Sequence, residues 1–206
     1  MSDTYAVVVA TGNAHKLSEI EAILGASPAM AGARFLALGE LGDFEDPEET
    51  GETFTENALI KARAALDETG LAMAVADDSG LVVDALDGAP GIYSARWAGD
   101  HGNDAANNEK MLREMDGVSD DERTARFHSS VVLVTRDEDG EEVLVGEGDC
   151  EGRIAHDLRG NNGFGYDPLF ELADIPGKRM AELEPEEKNA ISHRRRALDD
   201  LVRKLG

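Results

Sequence analysis

An apolar run interrupted by two adjacent carboxylates limits the folds open to this chain more than any other feature. Val75-Ala76 leads into Asp77-Asp78-Ser79-Gly80, and Leu81-Val82-Val83 resumes the apolar character. The pattern predicts a strand over Met73–Asp77 that delivers acid groups to an edge and turns back. Side chains alternate along a strand, so Asp77 and Asp78 should point to opposite faces. Two acids beside a Ser-Gly step suit a hard cation such as Mg²⁺, which takes one or two carboxylates plus waters and substrate phosphates. The same residue types also make plain surface turns, and both readings stay open at this point.

The rest of the chain reads as alternating strands and helices. Ala6–Ala10 is a buried strand that ends at Thr11-Gly12-Asn13, and Leu17, Ile20, Ile23 and Leu24 then fall at helical spacing. Strand, glycine loop and helix in that order form a common phosphate-binding arrangement, because a helix N-terminus presents free N–H groups. Lys16 lies in the first turn, where the helix dipole disfavours a cation, so its placement points to an anionic ligand.

A second strand is predicted over Arg34–Leu38, followed by an acidic loop with Glu45, Asp46, Glu48 and Glu49. Thr53 and Glu56 stand at capping-box spacing and open a helix with a stripe of Phe54, Ala58, Ala62, Ala65 and Leu66. Asp104–Met115 is a further helix, with Ala105, Asn108, Met111, Leu112 and Met115 as its inner face. Two long strands, Arg126–Thr135 and Glu142–Gly148, flank Asp137-Glu138-Asp139-Gly140, which reads as a hairpin turn. Gly160 to Pro168 is a Gly/Asn loop with two aromatics. The last helix spans about Pro185–Leu205 and carries Lys188, His193, Arg194, Arg195 and Arg196, the densest basic patch of the chain. The lone Trp97 is assigned to the core.

Charge narrows the function. Twenty basic residues against 43 acidic ones give −23 over 206 residues, which repels nucleic-acid polymers but leaves room for a small Mg²⁺-bound nucleotide in a local basic pocket. The single Cys150 cannot form an intrachain disulfide, as expected of a reduced compartment. The N-terminus lacks a basic start, and no apolar run approaches a membrane span. The expectation is a cytoplasmic protein with no membrane partner.

Five separated motifs together closely resemble the inosine/xanthosine triphosphate pyrophosphatase family. They are Thr11-Gly12-Asn13-Ala14-His15-Lys16, Glu49-Thr50-Gly51 through Phe54-Glu56-Asn57-Ala58, Ala76 to Leu81 with Gly88-Ala89-Pro90-Gly91, Gly163 to Pro168, and Ser192-His193-Arg194. They run in order over nearly the whole chain. Each is common alone, and the specificity lies in their conjunction.

The resemblance implies an α/β fold: an elongated, long mixed β-sheet with flanking helices forming two lobes around a central cleft, within one domain of residues 1–206. It implies a Mg²⁺-dependent hydrolase, usually a homodimer, that converts ITP, dITP or XTP to the monophosphate and pyrophosphate and so removes deaminated purines from the nucleotide pool. By the same resemblance Asp78 is general base and metal ligand, and Ser79 touches substrate. Thr11, Gly12, Asn13, Ala14, His15 and Lys16 form the triphosphate loop, with Lys16 on the phosphates. Phe164, Gly165, Tyr166 and Asp167 hold the base, Phe164 stacking on it, and Lys188, His193 and Arg194 close over base and phosphates. Glu48 is favoured as the second metal carboxylate, with Glu45 and Glu49 as neighbours of equal chemistry. A broader housekeeping pyrophosphatase for modified pyrimidine or methylated nucleotides and a nucleotide sensor without turnover are the competing readings.

Overall fold

The computed structural model describes residues 5–11 and 14–206, with only the backbone of Ala14 and His15. The chain forms two compact units, residues 1–78, 129–148 and 196–206, and residues 79–128 and 149–195. The fold is mixed α/β, as the sequence reading expected.

In the first unit β1 (Tyr5–Val9) lies parallel to β2 (Ala33–Ala37), with Val7 opposite Phe35, and parallel to β3 (Met73–Val83), with Val8 opposite Ala74. Strand order here is β2-β1-β3-β4-β5, where β4 is Thr124–Asp137 and β5 is Gly140–Ile154. Val7, Val8 and Val9 are all buried, because a parallel strand covered on both faces needs apolar residues at every position rather than at alternate ones. On one face Val7, Val9 and Val75 pack with Ile20 and Leu24 of α1 (Ala14–Leu24). The other face sets Val8, Ala74 and Ala76 against Ala58, Ala62, Ala65 and Leu66. Those four belong to a long helix; α2 (Leu38–Leu41) is a single turn and α3 is Phe54–Thr69.

The start of α3 is fixed as its sequence predicts. Thr53 Oγ1 accepts the Glu56 N–H at 3.1 Å, and Glu56 Oε2 accepts the Thr53 N–H at 3.0 Å. Gly70, at φ 66°, ends the helix in the left-handed conformation that a side chain would disfavour. The β4–β5 turn is also as expected, with Asp137 Oδ1 accepting the N–H groups of Asp139 and Gly140 at 2.8 and 3.1 Å.

In the second unit the strand order is β3-β4-β5-β6, β6 being Phe170–Leu172, antiparallel to β5 with Ile154 opposite Phe170. The core gathers Leu81, Val83, Phe127, Ile154, Leu169, Phe170 and, from α4 (Asp104–Glu114), Met111. Trp97 packs partly buried against it, with Lys110 Nζ 3.7 Å from the ring centroid. Arg123, 2% exposed, ties several segments of the unit together by donating to backbone carbonyls. Its guanidinium donates to Ile154 at 2.7 Å, Met115 at 2.8 Å, Ala155 at 3.0 Å and Val118 at 3.4 Å.

Three expectations need correction. The chain does not turn back at Ser79-Gly80: β3 runs on to Val83 because Leu81 and Val83 are fully buried and keep the backbone extended. The C-terminal helix is two, α5 (Pro185–Ile191) and α6 (His193–Leu205). They break at Ser192, which is extended at φ −64°, ψ 153° and accepts the Arg195 N–H on its hydroxyl at 3.1 Å, a serine cap that competes with helix continuation. On α4, Ala105 is exposed, and Asn107 and Asn108 are buried with Met111 and Met115.

Arg123→Ala would leave several buried carbonyls without a donor, at about 1–3 kcal/mol each. The expected loss is about 3 kcal/mol or more, a fall in Tm of roughly 6–12 °C for a chain of this size, read by circular dichroism. A shift below about 2 °C would mean that water replaces the guanidinium.

Candidate active site

Because β3 continues through Asp77 and Asp78, alternation sends their carboxylates to opposite faces, and each meets a lysine from the helix on its own side. Lys16 of α1 places Nζ 3.0 Å from both oxygens of Asp77. Lys61 of α3 places Nζ 2.8 Å from Asp78 Oδ1, 2.8 Å from Glu49 Oε1 and 3.2 Å from the Asp77 carbonyl. Asn57, one turn before Lys61, donates Nδ2 to Asp78 Oδ2 at 3.5 Å.

The same Asn57 anchors the acidic loop. The Gly51 N–H donates to Asn57 Oδ1 at 2.9 Å, and a Cβ at Gly51 would lie 2.7 Å from that oxygen. Only glycine permits this approach, and the contact brings Glu49 to Lys61.

Asp77 and Asp78 are both buried. Burial raises the Asp78 pKa and outweighs the opposing Lys61 charge, and the Glu49 carboxylate pushes it further up. For Lys61, burial acts to lower the pKa, but the charge of Asp78 and hydrogen bonds from Asp78 and Glu49 prevail and raise it. The result is a fixed ammonium facing a carboxylate with an increased affinity for a proton.

The second unit holds a cavity of about 160 Å³ lined by Ser79, Asp104, Phe127, Phe164, Gly165, Lys188 and His193 among others. Phe164 is 67% exposed, and Lys188 Nζ lies 4.3 Å from its ring centroid. Lys188 also pairs with the buried Asp167. Asp167 in turn accepts the Phe164 N–H at 2.8 Å, and burial raises its pKa against the pull of Lys188. At Gly163, φ 78°, a Cβ would lie 2.0 Å from Asp167 Oδ2, so the loop closes on the carboxylate only with glycine there. Asp104 Oδ2 accepts the Gly165 N–H at 2.7 Å, and Asn108 Nδ2 donates to the Gly165 carbonyl at 2.8 Å. Tyr166 is buried, donating its hydroxyl to the Ser94 carbonyl at 2.9 Å. The His193 ring stacks on Phe127 with centroids 5.2 Å apart.

The sequence-predicted residues fall into place unevenly. Lys16 and Asp78 belong to the first-unit cluster, although Lys16 sits on Asp77. Ser79, Phe164, Gly165, Tyr166, Asp167, Lys188 and His193 line the second-unit cavity, with Tyr166 and Asp167 engaged in holding the loop. Thr11 is half-buried after β1, its N–H bonded to the Val9 carbonyl at 2.7 Å. Gly12 and Asn13 lie outside the described residues, as do the side chains of Ala14 and His15. Arg194 is half-buried in the first turn of α6.

Glu48 and Glu45 are exposed, and Glu49 is the acidic-loop carboxylate held at Lys61. Among the described residues no group of three or more His, Cys, Asp or Glu gathers as a metal site; the first-unit cluster offers two carboxylates, Asp78 and Glu49, on one cation. Lys61 was not named from the sequence, and Asp104 and Asn108 were read only as the start and inner face of a helix. Lys61 had a signal: a lysine four residues after Asn57 and beside the alanine stripe of α3 stands at the edge of a buried face.

The sequence model of the Ham1 family matches residues 7–204. The chain belongs to the Ham1 family. Its relatives include a protein named dITP/XTP pyrophosphatase from Xanthomonas oryzae pv. oryzae, 51% identical over 199 residues, which span 97% of this chain and 96% of that one. Another of that name, from Haemophilus influenzae, is 48% identical, with 97% and 98% covered. Among solved structures, a HAM1 protein from Coxiella burnetii superposes with a TM-score of 0.85 at 42% identity, covering 98% of each chain. The dITP/XTP pyrophosphatase from Mycobacterium abscessus gives 0.81 at 44% identity, covering 98% of this chain and all of that one. Among the described residues no helix is long and apolar enough to cross a membrane.

The raised Asp78 pKa fixes the sign of a stability effect. The folded state binds this proton more tightly than the unfolded chain, so Asp78 lowers stability as pH rises through its folded pKa. Asp78→Asn removes this penalty but also strips the buried Lys61 of its partner, so the expected outcome is a trend: the Tm of the mutant relative to wild type should rise from pH 4 to pH 8. A relative Tm that falls over that range would show that the Lys61 pair outweighs desolvation.

Proposed function

We propose that this Ham1-family chain is a nucleoside triphosphate pyrophosphohydrolase acting on deaminated purine nucleotides, ITP, dITP and XTP, to give the monophosphate and pyrophosphate. The observation that carries the reaction type is the buried Asp78, desolvated and held beside lysines suited to phosphate oxygens. The names of the relatives at about half identity support the substrate class.

In this mechanism Asp78 accepts a proton from a water whose oxygen attacks the α-phosphorus. The new P–O bond forms as the bond from that phosphorus to the bridging oxygen breaks, and the electron pair leaves on pyrophosphate. General-base assistance of this kind contributes about 10²–10⁴ in rate. Lys16 and Lys61 offset the charge of the phosphates. Mg²⁺ is held by one or two carboxylates together with waters and substrate phosphates; Asp78 and Glu49, which share one cation, would hold it, and when bound the ion would neutralise phosphate charge. Glu49 takes this role over Glu48 because Asn57 and Gly51 hold its loop at Lys61.

In the second unit the exposed Phe164 ring offers a stacking face for the purine, and Lys188 and His193 supply hydrogen-bond donors for a 6-oxo group. An adenine amino group would leave such donors unpaired, a strong form of rejection. A non-catalytic sensor is disfavoured, because binding alone gives no use for a carboxylate whose proton affinity burial has raised. The proposal includes a cytoplasmic homodimer, and sedimentation as a single 22.0 kDa species would remove the dimer.

The test is pyrophosphate release from ITP, XTP, GTP and ATP with Mg²⁺ or with EDTA. Mg²⁺-dependent release from ITP and XTP, with little from GTP and ATP, is expected. Single phosphate from all four would misplace the cleaved bond, and release only from modified pyrimidine triphosphates would reassign the substrate. Asp78→Asn should lose about 10²–10⁴ in kcat while still binding ITP, whereas Lys16→Met should weaken both. Because the base works ionised and burial raises its pKa, the acid limb of kcat/KM should lie above the ordinary carboxylate value of 3.8. A limb at or below that value contradicts the assignment.

A further inference from the structure

We infer that Lys61 is a placeholder cation that keeps free Mg²⁺ out of the Asp78–Glu49 site, so that the metal enters only together with a nucleoside triphosphate. The inference rests on the proposed reaction and adds an order of binding to it. An ammonium has three N–H donors, and those of Lys61 have three acceptors: Asp78 Oδ1, Glu49 Oε1 and the Asp77 carbonyl. One oxygen of each carboxylate that would hold Mg²⁺, Asp78 Oδ1 and Glu49 Oε1, thus already accepts from a cation.

Charge makes the exclusion selective. Asp78, Glu49 and Lys61 sum to −1, and the neighbouring Asp77–Lys16 pair is neutral. Bare Mg²⁺ on both carboxylates would turn this sum to +1 and displace an ammonium whose side chain is only 19% exposed, leaving a buried cation without its partners. A triphosphate arriving with the metal supplies anionic oxygens to which Lys61 can transfer all three hydrogen bonds. The Gly51 N–H bonded to Asn57 Oδ1 anchors the backbone two residues after Glu49 on α3 and keeps its carboxylate within reach of Lys61.

The experiment is calorimetric titration with MgCl₂ alone, at constant ionic strength and without nucleotide, together with the Mg²⁺-dependence of Tm. Wild type should show no saturable binding in the low millimolar range. Lys61→Met should bind Mg²⁺ at least about tenfold more tightly and gain Tm on saturation, by mass action on the folded state. Lys61→Gln, which keeps a hydrogen-bond donor but no charge, should behave like Lys61→Met and serves if the latter does not fold. Lys16→Met makes the same change in net charge beside Asp77 and should stay as blind to Mg²⁺ as wild type. Equal Mg²⁺ affinity in wild type and the Lys61 variants would overturn the inference, as would an equal gain in Lys16→Met. None of these titrations contains nucleotide, so an absence of pyrophosphate release would count against the reaction and not against the placeholder.

Discussion

The first unit depends on how β3 tolerates two ionised side chains in the middle of a buried strand. An isolated carboxylate in such a place would neutralise or unfold its surroundings. Here strand alternation separates the two acids, and the helices covering each face bring Lys16 to Asp77 and Lys61 to Asp78. The helices are thereby fixed by more than their apolar stripes: a one-residue slip of β3 would send each carboxylate to the other face and leave one of the two lysines facing Ala76 or Ser79 in place of an acid. Apolar burial sets the layers of this unit, and the two ion pairs set its register.

The same device recurs in the second unit on an irregular loop. Residues 160–168 lack a ladder to hold them, so polar groups do it: Asp167 takes the Phe164 N–H and Lys188, while Asp104 and Asn108 hold Gly165 by its N–H and its carbonyl. With its backbone groups satisfied by neighbours, the loop can leave the Phe164 ring exposed without needing that ring for its own stability. A planar ligand, as the proposed function requires, would meet a face already in position, which lowers the ordering cost of binding.

How far these arrangements were legible in the sequence follows from the range of the interactions. Local patterns read correctly: the Thr53–Glu56 capping box, the unbroken apolar β1, and the hairpin turn at Asp137–Gly140. The continuation of β3 through Ser79-Gly80 was missed because turn propensity is local, whereas the force that keeps the strand extended is the burial of Leu81 and Val83 among residues far along the chain. The break at Ser192 was missed because helical spacing runs on both sides of it, and only the serine hydroxyl capping Arg195 marks it. Family motifs pointed to Asp78, Lys16 and the loop of residues 163–168. Lys61 stayed hidden, since its role appears only when α3 is laid against β3, and the choice of Glu49 over Glu48 depends on a single side-chain contact, Asn57 to Gly51.

A chain with 43 acidic and 20 basic residues meets a physical difficulty in binding a polyanion, because its overall field repels the ligand. The use made of lysine answers it. Only six lysines are present, and three of them, Lys16, Lys61 and Lys188, stand against the buried carboxylates of Asp77, Asp78 and Asp167. Each pair presets the position of a cation that would otherwise sample many rotamers, so little side-chain entropy is lost when an anion arrives. Each pair also lowers the net attraction, since the aspartate must be left or shared. A phosphate chain accompanied by a divalent ion resolves that conflict, giving the lysine new oxygens and the carboxylate a new cation at once. On the proposed reaction a monoanion offers only half of the exchange, so these carboxylate–lysine pairs would select metal-bound polyphosphate in a chain whose overall field repels polyanions.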